Sequence, residues 1–118
     1  MIKFICYPRC STCRKAQKFL DDNNIRYEYR DIAKDNPNEK ELRKWHRLSG
    51  LELKKFFNTS GMLYRQMELT KRLPQMTDEE KLSLLSSDGM LVKRPLLILE
   101  NRVLVGFKET EWQQALPG

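Results

Sequence analysis

The sequence of 118 residues has only three cysteines, one histidine and no long apolar run. Three cysteines are too few, and odd in number, for a small secreted scaffold held together by disulfides. The apolar stretch at residues 2–7 is cut short by Pro8, so it cannot form a membrane span or the core of a signal peptide. The sequence therefore predicts a cytoplasmic protein without a membrane segment, in which any disulfide is transient.

Low-complexity tracts, internal repeats and flexible linkers are also absent from the sequence. The length is typical of one domain with one core, so we expect a single domain over residues 1–118. The formal charge of +6 would attract anions. Basic and acidic residues are interleaved, however, and no nucleic-acid-binding motif accompanies them, so direct contact with nucleic acid is not expected.

The spacing of apolar residues predicts the order of the strands and helices. Residues 2–7 alternate like a strand, residues 11–20 have helical spacing, and residues 25–32 follow as a second strand. Strand, helix and strand within about thirty residues form a βαβ unit with parallel strands. Towards the C-terminus, residues 96–99 and 103–107 predict a β-hairpin and residues 110–116 a final helix.

The chain between these two parts is predicted to be helical. This central insertion covers about residues 38–88 and includes a capping-box pattern from Thr77 to Glu80. The predicted order is therefore βαβ, a helical insertion and ββα, which is an α/β fold.

The strongest chemical signal is the segment Cys10-Ser11-Thr12-Cys13. Cys10 falls between the first strand and the first helix, where free backbone N–H groups and the helix dipole stabilise a thiolate. Residues three apart share a helix face, so Cys13 can reach the Cys10 sulfur and form a disulfide with it. We therefore predict that Cys10 is the attacking thiol, with a lowered pKa, and that Cys13 is the resolving thiol.

Two other interpretations of this spacing remain open. A C-x-x-C pair is also half of a common zinc site, but only Cys6 and His46 remain as further ligands, one in a strand and one on a separate helix. We therefore expect no metal and no bound cofactor. The second alternative is coincidence, although a C-x-x-C at the helix start of a βαβ unit is more specific than the spacing alone. Cys6 is predicted to be a small buried apolar side chain.

A second candidate site precedes the apolar strand at residues 96–99. In a thioredoxin-like fold this loop lies against the C-x-x-C and often carries a cis-proline, so Pro95 is a candidate for one, although a proline can also simply begin a strand. Arg94 would then stand near Cys10, where it could stabilise a thiolate or hold an oxyanion or a carboxylate. The candidate anion-binding residues are Arg94, Arg14, Ser11, Thr12 and Pro95.

Along nearly its full length the chain resembles the arsenate reductase (ArsC) and Spx family. The resemblance is carried by residues 7–16 around the C-x-x-C, residues 53–61, and residues 91–96 followed by residues 105–107. It implies a thioredoxin-like fold with a helical insertion. That expectation agrees with the order of elements predicted above.

In the arsenate-reducing members, a cysteine at the position of Cys10 attacks arsenate and several arginines bind the oxyanion. Arg94 matches one of these arginines, whereas the other two positions fall near Asn58 and near Phe107 or Lys108. Fewer guanidinium groups imply weaker arsenate binding, because a hydrogen bond to a charged group is worth about 1.5–3 kcal/mol. The resemblance thus implies an ArsC-like thiol–disulfide oxidoreductase, an arsenate reductase among the options, with glutathione, glutaredoxin or thioredoxin as electron donor.

The Spx branch leads to a different expectation. It implies a regulator that binds RNA polymerase and uses its C-x-x-C as an oxidation switch. Residues 10–16 look like that branch, whereas residues 57–61 and 105–107 are more similar to reductase-like members of uncertain substrate. A redox enzyme whose partner is a small thiol or a redoxin is therefore the first expectation, and a polymerase-binding regulator is the alternative.

Overall fold

The structure is a computed structural model that describes residues 1–116, so the last two residues of the predicted domain lie outside the described part. One sheet contains four short strands in the order β2-β1-β3-β4. They are β1 Lys3–Cys6, β2 Glu28–Asp31, β3 Leu96–Ile98 and β4 Val103–Val105. β1 is parallel to β2 and antiparallel to β3, and β3 forms an antiparallel hairpin with β4. The α/β fold class expected from the sequence is confirmed.

The helices lie on both faces of this sheet. They are α1 Ser11–Asp22, α2 Glu39–Ser49, α3 Met62–Gln66, α4 Leu69–Arg72, α5 Asp78–Ser87 and α6 Glu109–Ala115. Successive side chains of a strand point to opposite faces. Phe4 and Cys6 of β1 accordingly pack in one apolar cluster with α1 and α6, whereas Ile5 packs in a second cluster with the helices between β2 and β3.

The helical segment between β2 and β3 is fixed by its helix ends. Asn38 and Glu41 form a capping box at the start of α2, and Thr77 and Glu80 form the one that the sequence predicts at the start of α5. Gly50 ends α2 in the left-handed conformation, with φ of +70°. Apolar side chains of the segment pack with Ile5 on the sheet face opposite to α1.

Some boundaries differ from the sequence prediction. The second strand begins at Glu28 instead of Ile25, because Ile25 N donates to Leu20 O at 2.9 Å and so still belongs to the closure of α1. α4 and the 3-10 helix Leu73–Gln75 fall within the predicted helical insertion but were not predicted as separate elements. Leu69, Leu73 and Met76 have helical spacing, and Pro74 interrupts a continuous α-helix there.

Candidate active site

Cys10 lies at the N-cap position of α1, directly after the turn that ends β1. Its N–H donates to the Tyr7 carbonyl at 2.9 Å, and its own carbonyl accepts from the backbone N–H of Arg14 at 3.1 Å. This turn follows from Pro8, which cannot extend the hydrogen-bonding ladder of β1. Cys10 is partly exposed, so a substrate can reach its sulfur.

The surroundings of the Cys10 sulfur favour the thiolate. Burial opposes ionisation, but the backbone N–H of Cys13, the Cys13 thiol, the Arg94 guanidinium and the backbone N–H of Thr12 outweigh it and lower the pKa of Cys10. The two backbone donors belong to the first turn of α1, whose dipole acts in the same direction. Cys10 is therefore the accessible thiol best suited to nucleophilic attack.

Cys13 has the opposite character. It lies in the first turn of α1, is only 1% exposed, and its sulfur accepts a hydrogen bond from the backbone N–H of Tyr7 at 3.3 Å. A hydrogen bond with the Cys6 thiol, together with burial, raises the pKa of Cys13. Cys13 is thus kept as a protonated thiol beside the reactive sulfur of Cys10, which suits a thiol that acts second.

Arg94 approaches Cys10 from the loop before β3. Its guanidinium carbon lies 5.2 Å from the centroid of the Tyr7 ring, which is a cation–π contact. Arg94 Nε and Nη1 are buried and have no hydrogen-bond partner within residues 1–116. Buried donors without a partner are unfavourable, so an anion bound here would gain charge-assisted hydrogen bonds from them.

A cavity of about 360 Å³ opens beside Cys10 and Arg94. Two lysines in its wall add positive charge, and no acidic side chain is found in that wall among the described residues. This charge favours an anionic substrate. The cavity is lined by Cys10, Thr12, Asn58, Ser60, Gly61, Lys93, Arg94, Val105, Gly106, Phe107 and Lys108.

Two glycines shape the wall of this cavity. Gly106 has a φ of +78°, and its N–H donates to the carbonyl of Pro95 at 2.8 Å. At Gly61, a Cβ would lie 2.7 Å from Nδ2 of Asn58, so a larger residue would displace the Asn58 side chain. The outline of the cavity therefore depends on both positions.

Five of the residues singled out from the sequence lie in or beside the cavity. Cys10, Thr12 and Arg94 line the cavity. Cys13 and Pro95 are buried next to them, and the peptide bond before Pro95 is cis.

Two other residues singled out from the sequence lie outside the cavity lining. Ser11 and Arg14 are both exposed on the first turn of α1. Arg14 Nε donates to the Pro8 carbonyl at 3.2 Å. Both residues therefore remain near Cys10 in sequence without facing the same cavity wall.

The cavity lining also includes residues that were not singled out from the sequence as site residues, although the family resemblance points to some of these positions. Asn58, Phe107 and Lys108, where the family resemblance locates two arginine positions, all line it. Ser60 and Lys93 were not predicted as site residues. The one local signal for Lys93 is its position directly before Arg94.

A second cavity of about 690 Å³ adjoins the first and shares Lys93, Val105 and Lys108 with it. Lys54 and Lys55 also line this wider space, together with Glu52 and Glu111. The two adjoining cavities form a groove beside Cys10 in which lysines outnumber carboxylates.

Residues 1–116 contain neither a metal-binding cluster nor a membrane-spanning helix. No group of three or more His, Cys, Asp or Glu side chains there could hold a metal ion. His46 instead packs edge-on against Phe56, with ring centroids 6.0 Å apart. No helix in this part of the chain has the length and apolar character needed to cross a membrane.

Comparison with known proteins identifies similar chains. A sequence profile of the ArsC family matches residues 6–115. The chain is 47% identical over 113 residues to the uncharacterised protein YusI of Bacillus subtilis, and the match covers 96% of each chain. The crystal structure of an ArsC family related protein from Bacteroides fragilis superimposes with a TM-score of 0.94 at 54% identity, covering 96% of this chain and 95% of that one. A more distant relative, the global transcriptional regulator Spx 1 of Bacillus cereus, is 26% identical over 117 residues, which cover 99% of this chain and 88% of the relative.

Proposed function

The chain belongs to the ArsC family and has a thioredoxin-like fold, and from this premise we propose that it is a cytoplasmic thiol–disulfide oxidoreductase. One observation carries the proposal. The Cys10 sulfur lies at the N-terminus of α1, beside the Arg94 guanidinium and in contact with the Cys13 thiol, and it opens onto a cationic cavity. A candidate thiolate, a candidate anion-binding group and a candidate resolving thiol thus lie close together.

In the proposed reaction, the Cys10 thiolate attacks one sulfur of an oxidised thiol substrate. A Cys10 mixed disulfide forms and the other half of the substrate leaves as a thiolate. Cys13 then attacks the Cys10 sulfur, gives its proton to the second leaving thiolate, and closes the Cys10–Cys13 disulfide. Two electron equivalents have passed from the protein to the substrate, and Arg94 with the helix N-terminus stabilises Cys10 whenever it is anionic.

The disulfide must be reduced again before another turnover. Glutathione, glutaredoxin or thioredoxin would supply the two electrons as thiols. Glutathione carries two carboxylates, and the groove beside Cys10 contains four lysines, Lys54, Lys55, Lys93 and Lys108, against two carboxylates, Glu52 and Glu111. This charge favours a small anionic thiol as the direct donor.

Arsenate is the oxyanion substrate that the family suggests. Its reduction to arsenite takes two electrons, which the Cys10 and Cys13 thiols supply as they close their disulfide. Arg94 offers two free donors, but Asn58 and Lys108 lie where a guanidinium would add paired hydrogen bonds. We expect slow arsenite formation by the native chain with glutathione. The double variant Asn58→Arg/Lys108→Arg should raise kcat/KM for arsenate by roughly tenfold or more, because each charged hydrogen bond is worth about 1.5–3 kcal/mol.

A trapping experiment tests the role of the two thiols. In Cys13→Ser, oxidised glutathione should leave a stable glutathione adduct on Cys10, because the resolving thiol is gone. With one equivalent of oxidised glutathione, the adduct on the native chain should be transient and give way to the Cys10–Cys13 disulfide. The matched control Cys10→Ser should form no adduct. If Cys13→Ser forms no adduct either, the proposal is wrong.

A second candidate is an Spx-like regulator in which the same disulfide switches binding to RNA polymerase. The relationship to Spx 1 along 117 residues favours it. Its partner would bind stoichiometrically and would not be consumed. RNA polymerase should then co-purify with the native chain in one redox state of the Cys10–Cys13 pair and not in the other. This result would support the regulator over the enzyme.

A further inference from the structure

We infer that Cys6 is a third redox-active thiol, which takes over the disulfide from Cys10 by bonding to Cys13. This inference rests on the proposed function, since it starts from the Cys10–Cys13 disulfide. The proposed reaction gives Cys6, at the end of β1, no role beyond that of a small apolar side chain. Its position beside Cys13 would allow it to form a disulfide.

The geometry brings Cys6 and Cys13 together. Cys6 points to the sheet face that α1 covers, and both residues are 1% exposed in the same cluster. The Cys13 sulfur lies 3.3 Å from Tyr7 N, an atom bonded directly to the carbonyl carbon of Cys6. Each thiol shifts the pKa of the other, that of Cys6 downwards and that of Cys13 upwards, so the two sulfurs are neighbours in this cluster. A short movement of either side chain would therefore bring the sulfurs to the bonding distance of about 2.0 Å.

Cys13 is the middle thiol of the three. Its thiol lowers the pKa of Cys10 and also that of Cys6, so it lies close to both. An attack by Cys6 on a Cys10–Cys13 disulfide would therefore reach the Cys13 sulfur and release Cys10. The thiol with the lower pKa is the better leaving group, and the donors around Cys10 stabilise the thiolate that is released.

The exchange balances without an external oxidant. The Cys6–Cys13 bond forms, the Cys10–Cys13 bond breaks, and Cys10 departs with the electron pair as a thiolate. The Cys6 proton passes to solvent through the Tyr29 hydroxyl, which lies 3.5 Å from the Cys6 sulfur on a residue that is 42% exposed. The oxidation is then stored in a buried disulfide, and Cys10 is again a free thiolate.

This storage has a chemical consequence. External thiols cannot reach a disulfide between two buried residues, so reduction must return through Cys10. The freed Cys10 can meanwhile react with a second oxidised thiol. With excess oxidised glutathione, the fully oxidised chain should carry the Cys6–Cys13 disulfide and one glutathione on Cys10. The variant Cys6→Ala should lose this stable adduct, because Cys13 remains free to resolve it.

Trypsin separates the two disulfides because it cleaves after Lys3, Arg9 and Arg14. Cys6 lies in peptide 4–9, whereas Cys10 and Cys13 share peptide 10–14. The native chain is oxidised with glutathione disulfide, its free thiols are blocked with N-ethylmaleimide at acidic pH, and it is digested for mass spectrometry. We expect the closed peptide 10–14 and also a linked pair of peptides 4–9 and 10–14, in which N-ethylmaleimide or glutathione is attached to Cys10.

Two features of the result decide the inference. Among chains that carry no glutathione on Cys10, the ratio of the two disulfides should not depend on the glutathione redox ratio, because their exchange is intramolecular. Cys6→Ala should give only the closed peptide. If the native chain gives the closed peptide alone, the inference fails and the proposed function stands. If neither product forms, the proposed function fails, and the inference fails with it.

Discussion

The start of α1 differs from the starts of α2 and α5. α2 and α5 each begin with a capping box, formed by Asn38 with Glu41 and by Thr77 with Glu80, and each has acidic residues in its first turn. α1 begins with Cys10, has no acidic residue in its first turn and makes no side-chain cap of this kind. Its terminal N–H groups therefore remain available to a thiolate or to a bound anion.

The same helix dipole thus serves two purposes in one chain. In α2 and α5, carboxylates and an amide or hydroxyl oxygen satisfy the first turn and stabilise the fold. In α1 no such side-chain cap is present, and burial of the inner face stabilises the helix instead. The buried residues on this face are Cys13, Ala16, Phe19 and Leu20. Substitutions that change the capping residue or the charge at these helix starts should therefore allow the reactivity of Cys10 and the free energy of unfolding to be changed independently.

The largest effect is expected from Cys10→Ser, which makes the start of α1 resemble that of α5. Thiol transfer should fall to the background rate because the nucleophile is gone. Serine is a good N-cap, so the free energy of unfolding should rise by about 0.5–1 kcal/mol. Activity assays and chemical unfolding would measure the two changes. Residual thiol transfer, or a less stable variant, would contradict this account of the helix start.

Arg94→Gln should have the next largest effect. The guanidinium lowers the pKa of Cys10, so its removal should move that pKa upwards, towards the usual value of 9.0. Alkylation of native Cys10 by iodoacetamide should therefore reach half its maximal rate below pH 9.0, and the midpoint should shift to higher pH in the variant. Loss of one charged hydrogen bond, about 1.5–3 kcal/mol, corresponds to roughly a tenfold or greater fall in thiol transfer.

The matched control for this prediction is Arg14→Gln. Arg14 is an exposed arginine in the first turn of α1, and among the described contacts its side chain bonds only the Pro8 carbonyl. Arg14→Gln should leave the pH midpoint of Cys10 alkylation nearly unchanged. Equal shifts in both variants would mean that general positive charge, not the position of Arg94, sets the reactivity of Cys10.

Ser11→Glu would give α1 the acidic first turn that α2 and α5 already have. A carboxylate at a helix N-terminus stabilises the helix by about 0.3–1 kcal/mol, and the same charge disfavours a neighbouring thiolate. We expect a small gain in the free energy of unfolding and a few-fold slower alkylation of Cys10 at neutral pH. Ser11→Gln is the neutral control. A faster reaction in Ser11→Glu would show that the first turn does not govern the thiolate.

The parts of this comparison were predictable to different degrees. The start of α1 and the capping box at Thr77 depend on residues within one turn, so local spacing reveals them. The cavity wall depends on contacts between distant segments. Lys93 N donates to the Phe56 carbonyl at 2.7 Å, and Asn58 N donates to the Leu91 carbonyl at 2.8 Å. These bonds draw residues 56–61 to the loop before β3, and no local pattern in the sequence encodes that pairing.

The contact between Cys6 and Cys13 could not be predicted from a local sequence pattern either, because it also depends on how separate elements pack. Burial of Cys6 follows from its alternating strand, and the structure agrees, since Cys6 is 1% exposed. The identity of its neighbour depends on which face of β1 meets the first turn of α1. That choice is made by packing across the whole sheet, with Phe4 and Cys6 on one side and Ile5 on the other.

The smallest effect on activity is expected at a helix start that has only a structural role. Thr77→Ala removes the oxygen that accepts from Glu80 N at 3.1 Å, and should lower the free energy of unfolding by about 1 kcal/mol. α5 contributes no residue to the cavity lining, so alkylation of Cys10 and thiol transfer should be unchanged. A loss of activity at a temperature where the variant is fully folded would contradict the separation of the two kinds of helix start.

The pH dependence of the same capping box sharpens this prediction. The backbone N–H and side chain of Thr77 lower the pKa of Glu80, so the folded state binds its proton less tightly than the unfolded chain does. The contribution of Glu80 to stability is therefore present at neutral pH and is lost as the pH falls through the lowered pKa. Glu80→Gln should be less stable than the native chain at neutral pH, and the difference should shrink in acid. A constant difference across the acidic range would mean that the Glu80 charge does not stabilise this cap.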